Sequence, residues 1–130
     1  HKADVRPLGV SALFYGSDRD AKAIEATRSN AKRAKVDLKL AVHDIGELRP
    51  PTTEPGWVVC NPPYGERLSR GAVRGTLERF GKTLRDHFSG WGVAVVLPAQ
   101  LVSQTHLELE TVLRFRNGGL KVVCAAGVVP

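Results

Sequence analysis

Methionine is absent from this chain of 130 residues, cysteine occurs twice, and no apolar run approaches membrane-spanning length. Each scarcity closes an option. A bilayer-spanning helix needs about 20 consecutive apolar residues, so none is expected here. Cys60 and Cys124 are far apart and each lies in a strand-like run. They read as two reduced, buried thiols acting as small hydrophobes, not as a disulfide framework. The four histidines are scattered without metal-ligand spacing, so no metal is expected. No segment has the basic start, apolar core and small-residue cleavage site of a signal peptide, which makes a cytoplasmic protein the expectation. A sequence that starts at His1 and holds no methionine reads as a piece of a longer polypeptide. Internal repeats and low-complexity segments are also lacking.

What is present fits one domain over residues 1–130. Apolar residues make up 42% of the chain, enough for a modest core. Lysine and arginine number 19 against 13 acidic residues, for a formal charge of +6. That balance favours a polyanionic partner such as RNA, the alternative being an ordinary solvated surface.

Hydrophobic spacing divides the chain into alternating strands and helices. Ser11-Ala12-Leu13-Phe14-Tyr15-Gly16 is a short apolar run ending in Gly16-Ser17-Asp18, and a helical pattern follows at once. Asp20 is placed as its N-cap. Ile24, Thr27, Ala31 and Ala34 share one face, and Lys22, Arg28, Lys32 and Lys35 face away, with the helix ending near Lys35. Leu38 to His43 reads as a strand ending at Asp44, and Pro50, Pro51 and Pro55 mark a loop. Trp57-Val58-Val59-Cys60 is a continuous apolar run, the pattern of a parallel strand covered on both faces. Val73, Leu77, Phe80, Leu84 and Phe88 recur at helical spacing, with Gly90 as terminator. Gly92–Leu97 reads as a buried strand and Ala99–Leu109 as partly helical. Val112–Phe115 and Leu120–Ala125 flank Asn117-Gly118-Gly119, a hairpin signal that ends the sheet antiparallel.

The chemistry concentrates at Asn61-Pro62-Pro63-Tyr64, directly after the Trp57–Cys60 strand. Two prolines cannot extend a strand, so the tetrapeptide lies beyond a strand's carboxyl end, where open α/β sheets bind ligands. The exocyclic amine of a nucleobase is a poor nucleophile because its lone pair is delocalised into the ring. The Asn61 side-chain oxygen and the Pro62 carbonyl can each accept one N–H, orienting the nitrogen and stabilising positive charge as it develops. Pro62-Pro63 fixes the backbone direction, and Tyr64 has the ring to stack on a flipped or single-stranded base. Arg67, just beyond, is a candidate phosphate clamp, with an ion pair to Glu66 or another acid as the alternative. Asp18 and Asp44 end consecutive strands. A carboxylate there can accept from both ribose hydroxyls, the role read for Asp18, while Asp44 can take the adenine amino group with Ile45 packed on the ring. The alternative for each is a turn aspartate bonded to its own backbone.

Phe14-Tyr15-Gly16-Ser17-Asp18, the helix after it, Asn61-Pro62-Pro63-Tyr64-Gly65-Glu66-Arg67-Leu68 and Phe88-Ser89-Gly90-Trp91 together resemble the bacterial 23S rRNA guanine-N2 methyltransferases. These are the THUMP-containing enzymes of the UPF0020 type, and the resemblance runs from about Ala12 to Ala125. It implies a Rossmann-like class I methyltransferase sheet, S-adenosylmethionine as methyl donor, and a guanine N2 amine in 23S rRNA as acceptor. It carries Asp18 to the cofactor's ribose, Asp44 to its adenine and Asn61 to Tyr64 to the target base; Arg19, Ile45 and Asn61 are added as expected cofactor contacts, and Arg67 as an expected RNA contact. The family places a first strand and a glycine-rich turn upstream, next to the methionine part of the cofactor. Only Gly9 stands in that region here, so the chain reads as the second part of a methyltransferase domain. It lacks the first strand, the glycine loop and the THUMP domain, and by itself is expected to bind cofactor weakly. Two other readings stay open: a DNA adenine or protein glutamine methyltransferase, and a non-catalytic RNA-binding module with the same fold.

Overall fold

The computed structural model describes residues 14–62 and 69–130. They belong to two compact units, residues 1–44 and 45–130.

The first unit contains β1 (Phe14–Asp18), α1 (Ala21–Ala34) and β2 (Leu38–Val42). The strands pair in parallel, Phe14 opposite Leu38 and Asp18 opposite Val42. Parallel neighbours need a crossover, and α1 provides it. Asp20 sits in extended backbone and its side chain accepts from the Lys22 N–H at 2.9 Å, the N-cap the sequence implies. Lys35 ends the helix at φ 58, its N–H turned back to the Ala31 and Lys32 carbonyls. Ile24 is buried, but Thr27 and Ala34 of the same expected face are exposed, and Thr27 bonds its hydroxyl to the Ala23 carbonyl. β1 ends at Asp18, as the sequence implies, because the parallel register carries pairing through Asp18, whose carbonyl accepts from His43 N–H at 3.0 Å. Ser11 to Leu13 lie outside the described residues.

The second unit opens with a 3₁₀ turn, Ile45–Glu47, followed by β3 (Trp57–Cys60), α2 (Arg70–His87) and β4 (Gly92–Leu97). A second 3₁₀ segment, Ala99–Thr105, leads to β5 (Glu110–Asn117) and β6 (Leu120–Val128). The sheet order is β3-β4-β6-β5, with β3 and β4 parallel and β6 antiparallel to both neighbours. The hairpin closes through Gly118 and Gly119 at φ 58 and 85, between the paired Asn117 and Leu120. Two successive positive φ values are what a type I′ turn requires, and glycine supplies both without strain.

Ser69 caps α2 by accepting from the Ala72 N–H at 3.1 Å. The predicted stripe of Val73, Leu77, Phe80, Leu84 and Phe88 is buried throughout. It packs in one cluster with Val93, Val95 and Leu97 of β4 and Val123 and Ala125 of β6. Burying each large side chain contributes about 1.5–3 kcal/mol, so this layer dominates the unit's stability. Phe88 meets Trp91 edge-on, with ring centroids 5.3 Å apart. Gly90, at φ 84, turns the chain from helix to β4.

β3 corrects one expectation. The continuous apolar run predicts a strand covered on both faces, yet Trp57 is 65% and Val59 75% exposed. Only Val58 and Cys60 pack against the core. Among the described residues β3 has a single ladder neighbour, β4, and lies at the sheet's edge. An apolar run cannot distinguish a strand covered on two faces from one covered on one.

Gly81 sets how closely α2 approaches the second 3₁₀ segment. A Cβ there would lie 1.7 Å from the Thr105 carbonyl oxygen. That carbonyl and the His106 carbonyl both accept from Arg85 Nη1, at 3.0 and 3.1 Å. In an exposed helix, Gly→Ala gains about 1 kcal/mol. Here the clash is with backbone, so the sign reverses. Gly81→Ala is expected to destabilise the protein by roughly 1–3 kcal/mol, the usual range for overpacking. Chemical denaturation checks this, and a gain in stability would contradict the close approach.

Candidate active site

The carboxyl ends of the parallel strands carry the candidate residues, and each unit has its own set. In the first unit Asp18 is the last residue of β1 and Asp44 follows β2 by two residues. Parallel pairing puts both at the same edge of the two-stranded sheet. Asp18 is exposed, and its Oδ1 accepts from the Asp20 N–H at 2.8 Å. This is the turn-aspartate arrangement, yet it engages one oxygen of a group with about four lone-pair sites. Oδ2 keeps acceptor capacity for a pair of hydroxyls. Arg19 is exposed beside it, and Asp44 is half-buried.

In the second unit Asn61 directly follows β3. The ladder ends with Cys60 opposite Val95, so Asn61 stands beyond the last paired residue of its strand. Asn61 is exposed while Pro62 is buried, which anchors the backbone on which the amide is presented. No described residue hydrogen-bonds the Asn61 side chain. Among the described residues its amide's donors and acceptor are therefore uncommitted. Ile45, the first residue of the 3₁₀ turn, is partly buried and packs against the hydrophobic cluster. Pro63, Tyr64 and Arg67 lie outside the described residues.

Cys60 lies immediately before Asn61. Burial pushes its thiol up to about 11 from 9.0 by desolvation, which suits a core-packing residue and not a nucleophile. Both cysteines are free thiols. A cavity of about 700 Å³ lies between the second 3₁₀ segment and β6, lined among others by Val102, Leu107, Glu108 and Gly127. None of the expected site residues lines it. Among the described residues, no three His, Cys, Asp or Glu side chains gather as a metal site would require. No helix among them is long and apolar enough to cross a membrane.

Parallel strands joined by a helix, an antiparallel terminal hairpin, and acidic and amide groups at strand ends define a methyltransferase-type α/β fold. Residues 1–120 match the family described as UPF0020: RMKL-like, methyltransferase domain, and the chain belongs to that family. Solved structures agree on the fold. SMU.472, a candidate methyltransferase complexed with SAH, is 24% identical over 90% of this chain and 32% of its own, with a TM-score of 0.78. A possible methylase from Clostridium difficile 630 is 26% identical over 92% of this chain and 33% of its own, with a TM-score of 0.80. A structure from Listeria monocytogenes described as a predicted N6-adenine-specific DNA methylase is 25% identical over 89% of this chain and 30% of its own, at a TM-score of 0.70. The chain thus spans about a third of the length of the solved structures it matches. The class is α/β, the Rossmann-like sheet of S-adenosylmethionine-dependent methyltransferases with an antiparallel carboxy-terminal hairpin.

The Cys60 thiol gives a pH test. The unfolded thiol ionises near 9.0 while the folded one holds its proton to about 11, so the unfolded state binds fewer protons between those values. Conformational stability is expected to be full below pH 9 and to decline as pH rises toward about 11. Cys60→Ala should flatten that decline in denaturation curves measured across the range. An equally steep decline in the variant would mean that Cys60 is not its source.

Proposed function

We propose that this chain carries the amine-holding half of an S-adenosylmethionine-dependent methyltransferase whose acceptor is the exocyclic N2 amine of a guanine in 23S rRNA. The observation that supports it is the exposed Asn61 amide, set on the buried Pro62 at the carboxyl end of a parallel strand, in a chain of a methyltransferase-domain family.

S-adenosylmethionine is the cofactor, and when bound it supplies an electrophilic methyl group on a sulfonium. Asp18, with Oδ2 in reserve, suits the ribose hydroxyls, and Arg19 lies beside it. Asp44 and Ile45 are assigned to the adenine. The Asn61 oxygen and the Pro62 carbonyl each accept an N–H of the target amine, so its lone pair points at the methyl carbon. Positive charge that develops on the amine nitrogen as the methyl passes to it from the sulfonium, which would be left as a neutral thioether, would be stabilised by these two acceptors before a proton leaves to solvent. Pro63 stiffens the rim. Tyr64 stacks on the base, and Arg67 clamps a neighbouring phosphate. A cytoplasmic location and a whole protein with a glycine-rich loop and a THUMP domain belong to the same reading.

The Listeria structure, described as a predicted N6-adenine-specific DNA methylase, favours a second reading in which the amine belongs to adenine in DNA. Nucleoside mass spectrometry on a deletion strain separates them. Loss of one N2-methylguanine from 23S rRNA supports the first, and loss of N6-methyladenine from DNA supports the second.

In the whole protein, Asn61→Ala is expected to lower the methyl-transfer rate by roughly 100-fold or more, as for a lost preorganised acceptor, with cofactor affinity little changed. Asp18→Ala should do the reverse, weakening cofactor binding with a small effect on turnover at saturation. Tyr64→Ala should impair transfer and Tyr64→Phe retain it, since stacking needs the ring and not the hydroxyl. Single-turnover rates and calorimetric cofactor titrations check all three, and equal damage from both Tyr64 variants would contradict stacking.

A further inference from the structure

We infer that the cationic face of the β5–β6 hairpin is a nucleic-acid phosphate-binding surface, separate from the amine-holding turn. In the register, Arg114 pairs opposite Val123 and Arg116 opposite Lys121. Side chains two apart on a strand share a face, so Arg114, Arg116 and Lys121 all project from one side of the hairpin. Leu113 and Phe115 take the other side. Every residue from Glu110 to Lys121 is exposed.

Arg116 and Lys121 form a directly cross-strand pair of like charges. Such pairs bring their Cβ atoms to about 4.5–5.5 Å and destabilise a sheet. The usual remedy is an interleaved carboxylate. Three other cations among the described residues have one: Arg28 pairs with Glu25, Arg74 with Glu78 and Lys82 with Asp86. Arg114, Arg116 and Lys121 have no ion pair or hydrogen bond among the described residues. The acid of this strand, Glu110, pairs opposite Ala126 and so lies on the other face, with Leu113 opposite Cys124.

Three uncompensated cations on a stiff two-stranded platform are repulsive alone and favourable against a polyanion. The Cα atoms of Arg114 and Arg116 are about 7 Å apart along the strand, and each guanidinium can take a phosphate bidentately, with the Lys121 ammonium as a third point charge. Regular spacing along an extended backbone suits a phosphodiester chain. The Gly118-Gly119 turn fixes the register that opposes Arg116 and Lys121, so the charge cluster is a product of the turn. The choice of RNA as probe rests on the proposed function, while the phosphate chemistry does not.

The test is binding of the whole protein to a mixed-sequence oligoribonucleotide and to single-stranded DNA of the same sequence, across a series of salt concentrations. Replacing Arg114, Arg116 and Lys121 together by Gln should make the log–log salt dependence shallower by roughly two units, at about 0.7 per lost contact on single strands. Affinity at low salt should fall by about tenfold or more. The melting temperature should hold or rise, because a like-charge pair is removed. Arg114→Lys with Arg116→Lys should preserve most of the slope. An unchanged slope in the triple variant would overturn the inference, as would a lost slope that the lysine variant also shows. A slope change with DNA but not RNA would uphold the phosphate surface and count against the rRNA substrate.

Discussion

The packing of α2 across β4 is the contact on which the second unit depends. Leu77, Phe80 and Leu84 on the helix and Val93, Val95 and Leu97 on the strand are all essentially inaccessible to water. β4 has ladder partners on both sides, and its buried alternation fixes which faces of β3 and β6 turn inward. A one-residue slip of either neighbour would send its apolar set to the opposite face. The outward position of the Asn61 amide is thus a remote product of this layer. Val58 and Cys60 must face the helix, and the residue after Cys60 leaves the ladder on the other phase.

The elements best legible from sequence are those whose signals depend on neighbours in the chain. The α2 stripe, the β3 and β4 limits, the Asp20 cap and the Gly118-Gly119 turn are all local chemistry, and the structure realises each. Legibility ends where a third partner decides the outcome. β2 stops at Val42, one residue short of the His43 its apolar pattern implies, because its ladder with β1 ends where Asp18 pairs with Val42. The exposure of Trp57 and Val59 depends on which strands and helices flank β3. The close approach at Gly81 had no local sign either, since a glycine within a helical stripe looks like a weak position until the Thr105 carbonyl is found against it.

The candidate site divides in the same way. The residue types and their strand-end positions were readable, because proline pairs and acidic residues punctuate apolar runs. The competing demands on each group were not. Asp18 caps its own turn with one oxygen while keeping the other, and only coordinates separate a shared carboxylate from a spent one. The cationic hairpin face shows a related gap. The strand pattern singles out neither Arg114 nor Arg116, and it is the register that brings Lys121 opposite Arg116.

The prolines around β3 have an effect outside the site. Trp57-Val58-Val59-Cys60 is an uncharged, strongly strand-forming segment that lies at a sheet edge among the described residues, the composition that recruits foreign strands into aggregates. Pro55 stands two residues before it and Pro62 two residues after it. A strand of four residues bounded in this way offers a docking partner very few ladder hydrogen bonds, and proline on either flank halts further zipping. Among the described residues, the prolines that flank the strand before Asn61 therefore also limit how far a foreign strand could zip along it.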